Sequence, residues 1–266
     1  MSKFRLEGSS GLITGASAGI GREFARQLAG RAASLVLVAR RQERLEELRD
    51  ELTKRDPNLK VHIRAVDLSE ERAVIDLYDW LERDKLPIDL LINNAGLGDV
   101  GPFATSELQR VKEMLAVNVT ALSLLTRLIL PGMIAQRRGA ILNVSSTAGF
   151  LPIAGFAVYA ATKAYVTSFS EAIRAELHGT GVTVTSLCPG PVHTEFTQVA
   201  ARPGAKRDRT PDFVHVSAEE VVRDTLAAIE SNKPLVIPGL IMKLGMFLVR
   251  IMPLSILRLA SRLSAK

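Results

Sequence analysis

Cysteine is almost missing from this 266-residue chain, where Cys188 stands alone. An intrachain disulfide and a cluster of thiolate metal ligands are therefore excluded, and the count fits a reducing compartment. No zinc-ligand spacing occurs, so no metal is expected. Acidic residues are missing after Glu230, where Lys233, Lys243, Arg250, Arg258, Arg262 and Lys266 follow. Those six cations account for the whole formal net charge of +6, so basicity belongs to the tail. With no stripe of interleaved aromatic and basic residues, a nucleic-acid partner is not expected. An apolar signal core is missing too: Met-Ser-Lys-Phe-Arg-Leu-Glu-Gly opens with charges throughout, and a cytoplasmic chain is expected.

What is present is ordinary globular material, 47% hydrophobic and 23% charged, enough for a substantial core. Short apolar runs, many β-branched, predict strands at Gly11–Thr14, Ser34–Ala39, Val61–Val66, Asp89–Asn93, Ala140–Ser145, Val182–Cys188 and Leu235–Ile237. Helical patterns fall between them, around Gly21–Ala29, Glu43–Lys54, Glu70–Arg83, Glu107–Gln136, Gly155–His178 and Ala218–Ser231. Strands separated by helices need right-handed crossovers and a parallel sheet covered on both faces. The expectation is one doubly wound α/β Rossmann domain over residues 1–238, with a seven-stranded sheet and ligands at the carboxyl ends of its strands. Residues 239–266 form an extension. The stretch from about Glu195 to Val216 is polar, holds Pro203, Gly204 and Pro211, and is expected to be an irregular lid-like loop.

Two constellations carry chemistry. The first, Thr14-Gly15-Ala16-Ser17-Ala18-Gly19-Ile20-Gly21, follows the first strand and opens the first helix. Its glycines permit a tight turn and let a pyrophosphate approach the helix N-terminus, where free N–H groups and the dipole favour anions. The spacing is Gly-x-x-x-Gly-x-Gly, which departs from the usual Gly-x-Gly-x-x-Gly dinucleotide pattern. The second is Tyr159-Ala-Ala-Thr-Lys163, thirteen residues after Ser146. Residues i and i+4 share a helix face, so an ammonium can lie beside the phenol. At ~5 Å and an effective dielectric of ~20, that charge favours the phenolate by about 3 kcal/mol, or roughly two pKa units. A tyrosine tuned toward neutrality can exchange a proton with a carbonyl oxygen.

Together with Asp67-Leu68, Asn93-Asn94-Ala95-Gly96, Asn118, Asn143-Val144-Ser145-Ser146 and Pro189-Gly190-Pro191-Val192-His193-Thr194, these motifs resemble the short-chain dehydrogenase/reductase family of the compact, roughly 250-residue type. They occur in family order and spacing over about residues 8–240. The resemblance implies that Ser146 hydrogen-bonds the substrate oxygen and Tyr159 is the acid–base residue. It also implies that Lys163 lowers the tyrosine pKa and holds the nicotinamide ribose, while Asn118 anchors a water linking the lysine to solvent. For the cofactor it implies Gly15, Ser17, Gly19, Ile20 and Gly21 at the phosphates. Asp67 and Leu68 would lie at the adenine, and Asn94, Ala95 and Gly96 beneath the adenosine ribose. Pro189, Gly190, Val192 and Thr194 would hold the carboxamide side. His193 reads as a loop residue rather than a base.

The second strand ends Val38-Ala39-Arg40-Arg41, with Ala39 where an NAD enzyme carries an acid. A guanidinium meets a 2′-phosphate bidentately and an acid repels it, so NADP(H) is expected, with Arg40 on the phosphate and reduction as the direction. Apolar residues near the motifs, Phe150, Leu151, Pro152, Ile153, Phe156, Leu97, Phe103 and Phe196, point to a small apolar carbonyl or alcohol substrate. Ketoacyl, steroid-like and lipophilic aldehyde or ketone compounds all fit. The family resemblance implies a homodimer or homotetramer through the long helices around 107–136 and 155–178. The alternative is a nucleotide-sensing or scaffold protein on the same fold; the complete Asn118–Ser146–Tyr159–Lys163 set argues against it.

The extension is apolar from Leu240 to Leu263 with sparse cations and Pro253, too interrupted to span a bilayer. Lys243 and Arg250, seven apart, form a narrow basic stripe on an otherwise apolar helix, and Arg258, Arg262 and Lys266 continue it after the break. Two short amphipathic helices peripheral to a membrane surface satisfy this pattern, as do a lid and an oligomer contact.

Overall fold

In the computed structural model, residues 4–202, 214–253 and 255–258 are described. Every strand of the sheet is parallel to its neighbours: β1 Ser10–Thr14, β2 Ser34–Ala39, β3 Lys60–Ala65, β4 Leu90–Asn93, β5 Gly139–Val144, β6 Val182–Leu187 and β7 Leu235–Val236. Their order is β3-β2-β1-β4-β5-β6-β7. The chain winds outward from β1 to β3, then returns to place β4 on the other side of β1. Between β1 and β4 the winding reverses, which opens a crevice at the carboxyl ends of these strands.

The strands are apolar throughout because both faces are covered. Ile13, Leu35 and Leu37 face α1 (Gly19–Leu28), α2 (Gln42–Arg55) and α8 (Ala218–Glu230), whose Phe24, Leu28, Leu48 and Leu226 join the same core. One residue out of phase, Leu12, Val36 and Leu91 pack in the second core with Leu77 and Leu81 of α3 (Glu71–Arg83). That core also takes Leu125 and Ile129 of α5 (Leu122–Ala135) and Ile173 of α6 (Ala157–Glu176). Strand alternation thus assigns each residue to one of two layers.

Three elements depart from expectation. The helix read over Glu107–Gln136 is α4 (Leu108–Leu115), a widened π-helical turn Ala116–Ala121, and α5. Asn118 lies in that turn, and π-bulges of this kind recur at functional sites. The Glu195–Val216 stretch is not a plain loop, because Glu195–Ala200 forms α7. Thr194 caps it by accepting the Phe196 N–H at 3.3 Å, and Glu195 adds an acid to the first turn. Six residues are too few to register as helical periodicity. Pro203, Gly204 and Pro211 lie outside the described residues. In the extension, α9 (Leu240–Ile251) forms, ends before Pro253, and is followed by a helical turn over 255–258. The side chain of Arg250, together with Arg262 and Lys266, lies outside the described residues.

Candidate active site

The glycine turn packs so closely on the end of β4 that side chains are shut out. Gly15 (φ +68°) has its Cβ position 2.8 Å from Asn94 Nδ2 and 2.9 Å from Ala95 Cα. A Cβ on Gly21 meets the Gly15 carbonyl and the same Asn94 amide. Asn94 explains the proximity: its Nδ2 donates to the Thr14 and Gly15 carbonyls at 2.9 and 3.3 Å. The Thr14 hydroxyl accepts the Asn94 and Ala95 N–H groups, both at 3.0 Å. Ala18, the N-cap of α1, offers its helix no side-chain cap, and no acid sits in the first turn. An uncapped, glycine-opened N-terminus facing a crevice is what a pyrophosphate requires, so the turn fits a dinucleotide.

One cleft of about 1240 Å³ runs from that turn across the sheet end. It exceeds the ~300–1,000 Å³ of a typical small-molecule pocket, leaving space for a nucleotide and a second reactant. Gly15, Ser17, Gly19, Ile20, Arg40, Asp67, Leu68, Asn94, Ala95, Gly96, Ser146, Tyr159, Lys163, Pro189, Gly190, Val192 and Thr194 all line it. Gly21 and Asn118 do not. Gly21 is there for close packing. Asn118, buried behind the wall, accepts the Leu97 N–H at 2.8 Å and donates to the Leu97 carbonyl at 2.9 Å and the Thr162 hydroxyl at 3.0 Å. Its side chain pins the backbone beyond β4 to α6.

At the floor of the cleft, the two adjacent serines divide their work. Ser145 donates to the Lys163 carbonyl at 2.7 Å and shares a 2.7 Å bond with the Thr167 hydroxyl, fastening β5 to α6. Ser146 accepts the Ala148 N–H at 3.1 Å, starting the short helical turn Thr147–Phe150, and hydrogen-bonds the Tyr159 hydroxyl. Tyr159 and Lys163 are both buried. Burial holds the phenol up at about 12, against a smaller lowering by Ser146. Burial likewise pushes the Lys163 ammonium down to about 8. The expected tuning of Tyr159 toward neutrality by Lys163 is thus not what these side chains produce. The ammonium nitrogen is 5.7 Å from the ring centroid and donates to the Val144 carbonyl at 2.8 Å, and desolvation outweighs that distant charge.

Arg41, the neighbour of the expected Arg40, also lines the cleft. Arg40 lines the cleft, but it is Arg41 that reaches the glycine turn, with Nε and Nη2 at 3.4 and 3.2 Å from the Ser17 hydroxyl. Arg41 is the N-cap of α2, where the strand turns into helix and adjacent side chains no longer alternate by a strand's rule. Asp67 is occupied locally: it accepts the Ser69 N–H and hydroxyl at 2.9 and 2.7 Å. Burial raises its pKa, but the Ser69 bonds and the nearby Arg40 charge bring the net shift below the ordinary value. Of the apolar candidates, Leu97, Leu151, Ile153, Phe156 and Phe196 line the cleft, whereas Phe103 is exposed and neither Phe150 nor Pro152 contributes to the lining. His193 stacks on His215 at 4.3 Å, away from the serine and tyrosine.

The lid-like stretch expected from Glu195 onward crosses this cleft, but as a helix rather than an irregular loop. Phe196 of α7 lies on Tyr159 with ring centroids 5.5 Å apart, opposite Phe156 at 5.9 Å. Beyond α7, Arg202 pairs with Asp99 at 9% side-chain exposure of the carboxylate, and donates to the Thr105 hydroxyl at 3.0 Å. The signal available was Thr194-Glu195, a capping residue followed by an acid.

A family profile described as short chain dehydrogenase matches residues 11–203. Sulfoacetaldehyde reductase 2 of Chromohalobacter salexigens is 40% identical over 218 residues, 79% of this chain and 84% of that protein. The NADP-dependent 3-hydroxy acid dehydrogenase YdfG of Escherichia coli K12 is 40% identical over 190 residues, 71% of this chain and 75% of its own. A solved short-chain dehydrogenase from Sphingobium yanoikuyae in complex with NADPH superposes with a TM-score of 0.79 at 30% identity, covering 91% of this chain and 95% of that one. The matched span runs from β1 through α7 and contains the whole cleft, and on that span the chain belongs to the short-chain dehydrogenase family of oxidoreductases.

Proposed function

We propose that this chain is an NADP(H)-dependent carbonyl reductase acting on an apolar ketone or aldehyde. The observation that carries the reading is one cleft with the Ser146 and Tyr159 hydroxyls at one end and Ser17 with Arg41 at the other. NADP(H) supplies the hydride when bound. Arg41 and Arg40 take its 2′-phosphate, the α1 N-terminus its pyrophosphate, and Thr194 with the Val192 backbone its carboxamide. Tyr159 gives the proton to the carbonyl oxygen from its hydroxyl, Ser146 hydrogen-bonds that oxygen as charge develops, and Lys163 holds the ribose and, with Asn118, returns the proton. The Tyr159 hydroxyl carries its proton at neutral pH, as a donor to the carbonyl oxygen must.

Leu97, Val117, Leu151, Ile153, Phe156 and Phe196 give the substrate end an apolar wall. The described cations beside it are engaged: Arg110 donates to the Gly98 and Val199 carbonyls, and Arg202 to Asp99. An apolar substrate follows. Loss of NADPH absorbance with a panel of aliphatic, aryl and steroid-like ketones tests it. Faster turnover of small anionic aldehydes or 3-oxo acids than of any apolar carbonyl sinks the apolar reading. Tight NADPH binding with no turnover on either panel favours the scaffold alternative.

Two associations complete the proposal. A homo-oligomer through α4–α5 and α6 is supported by the outward Leu115 and Tyr165, and sedentation of the chain as a monomer at micromolar concentration overturns it. Peripheral contact with an anionic membrane surface is supported by α9. Its Leu240, Ile241, Leu244, Phe247, Leu248 and Ile251 are each more than half exposed, exposed Lys243 and Arg258 stand beside them, and no acid follows Glu230. Flotation with phosphatidylserine vesicles is expected for the full chain and lost in the double substitution L244E/F247E. Equal flotation of both proteins refutes the contact.

A further inference from the structure

Glu195 takes no part in the proposed chemistry, yet it occupies the guanidinium that marks the cofactor's far end. Its Oε2 meets Arg41 Nη1 at 3.2 Å, and both its oxygens accept from Arg44 Nη1, at 2.7 and 2.9 Å. The same Arg41 reaches the Ser17 hydroxyl in the glycine turn through Nε and Nη2. Two guanidiniums therefore converge on one carboxylate, and the other edge of Arg41 reaches the glycine-turn hydroxyl. A phosphomonoester demands the same donor set, because planar forks present N–H groups in the spacing that both carboxylate and phosphate accept.

The three charged side chains lie on the surface, with 44% exposure for Arg41, 38% for Arg44 and 46% for Glu195. Ion pairs this exposed contribute little to folding, so a stronger anion displaces the carboxylate easily. A phosphomonoester carries about −1.5 to −2 charges near neutral pH against the single charge of a carboxylate. Exchange therefore favours the phosphate without unfolding anything. Nicotinamide nucleotides lacking that phosphate offer Arg41 only a neutral 2′-hydroxyl, too weak an acceptor to displace a carboxylate, and the pairing stays closed.

We propose that Glu195 is a specificity-determining residue whose carboxylate competes with the cofactor's 2′-phosphate for Arg41 and Arg44. NADP(H) binds by displacing it; NAD(H) binds with the pair in place. This rests on the seat of the 2′-phosphate at Arg41 given above. Glu195 opens α7, and the next residue, Phe196, lies on Tyr159, so the exchange takes place one residue from the cover of the reaction centre.

The test is nucleotide affinity, measured by fluorescence titration of NADPH and NADH into the wild-type chain, Glu195→Gln and Arg41→Gln at low and high salt. Removing the competitor is expected to tighten NADPH binding about threefold to tenfold at low salt, with NADH changed less than about twofold. That gain shrinks at high salt, since the pairing is exposed to screening. Arg41→Gln is expected to weaken NADPH about tenfold or more and to spare NADH. Unchanged or weakened NADPH binding in Glu195→Gln, with Arg41→Gln behaving as expected, overturns the competition and leaves the phosphate seat standing. Equal tightening of both nucleotides also overturns it, because general charge repulsion would act on either. Unchanged NADPH binding in Arg41→Gln overturns the seat itself, and the competition with it. Glu195 is exposed, and an unshifted Tm in Glu195→Gln confirms that the variant folds.

Discussion

Helices α1 and α9 are both amphipathic, and they end in opposite circumstances. Phe24, Ala25 and Leu28 of α1 disappear completely between the sheet and α8. In α9 the side chain that disappears is Met246, at 3% exposure, while Leu240 stands out at 72% and Phe247 at 62%. Met242 lies against Gly190, whose Cβ position is 2.6 Å from the methionine methyl, so α9 touches the cleft wall by a thin inner edge. An apolar stripe states that something covers a helix face. It does not state what the cover is. For α1 the cover is the chain's own sheet; for α9 it is the proposed lipid surface.

If the buried end does the chemistry and the exposed end only docks, substitutions at the two ends must separate cleanly. The largest effect is expected for Tyr159→Phe, which removes the proton donor and should lower kcat by about 10²–10⁴-fold while NADPH affinity holds. Near-normal turnover in that variant would move the chemistry elsewhere in the cleft.

Next comes the buried lysine, read through pH. The Lys163 pKa is depressed from 10.5 to about 8, so between those values the unfolded chain binds more protons and stability rises with pH. The gain is about 3 kcal/mol, present fully above the unfolded value and absent below pH 8. Tyr159 acts in the other direction higher up: folded, it keeps its proton to about 12, so stability falls as pH climbs from 10. Urea midpoints of the wild-type chain should therefore rise from pH 8 to pH 10, and those of Lys163→Met should stay flat. Parallel slopes in the two proteins would show that Lys163 is not the source.

Smaller effects divide α9 itself. Met246→Ala removes a buried side chain from the inner face of α9 and should cost about 2 kcal/mol, visible as a lowered Tm. Phe247→Ser, on the outer face, should stay within about 0.5 kcal/mol in solution. A large Tm loss for Phe247→Ser would mean that this face is already covered, by a second copy rather than by lipid.

The contrast between the ends also separates what the sequence disclosed from what it withheld. The strands were legible because burial on both faces makes a run such as Leu35–Val38 apolar at every position. The glycine turn was legible because Gly15 and Gly21 leave no room for a Cβ. By contrast, α7 was not: six residues with Thr197 and Gln198 on an exposed face look like loop. Nor could adjacent Arg40 and Arg41 be ranked, since both lie in the turn between the end of β2 at Ala39 and the start of α2 at Gln42. Asn118 was found by its place among the motifs, but its side-chain bonds were not legible, because Leu97 and Thr162 come to it from other parts of the chain.

By itself the sequence determined the layers of the fold, the glycine turn and the Tyr159–Lys163 pair, all of which follow from spacing along one chain. Tertiary structure decided the rest: that burial sets the phenol near 12 before any charge can lower it, and that Arg41 rather than Arg40 reaches Ser17. It also decided that Phe196 closes on Tyr159 and that Glu195 holds the arginines. Desolvation and ion pairing depend on which distant groups arrive at a site, and no local spacing encodes that arrival.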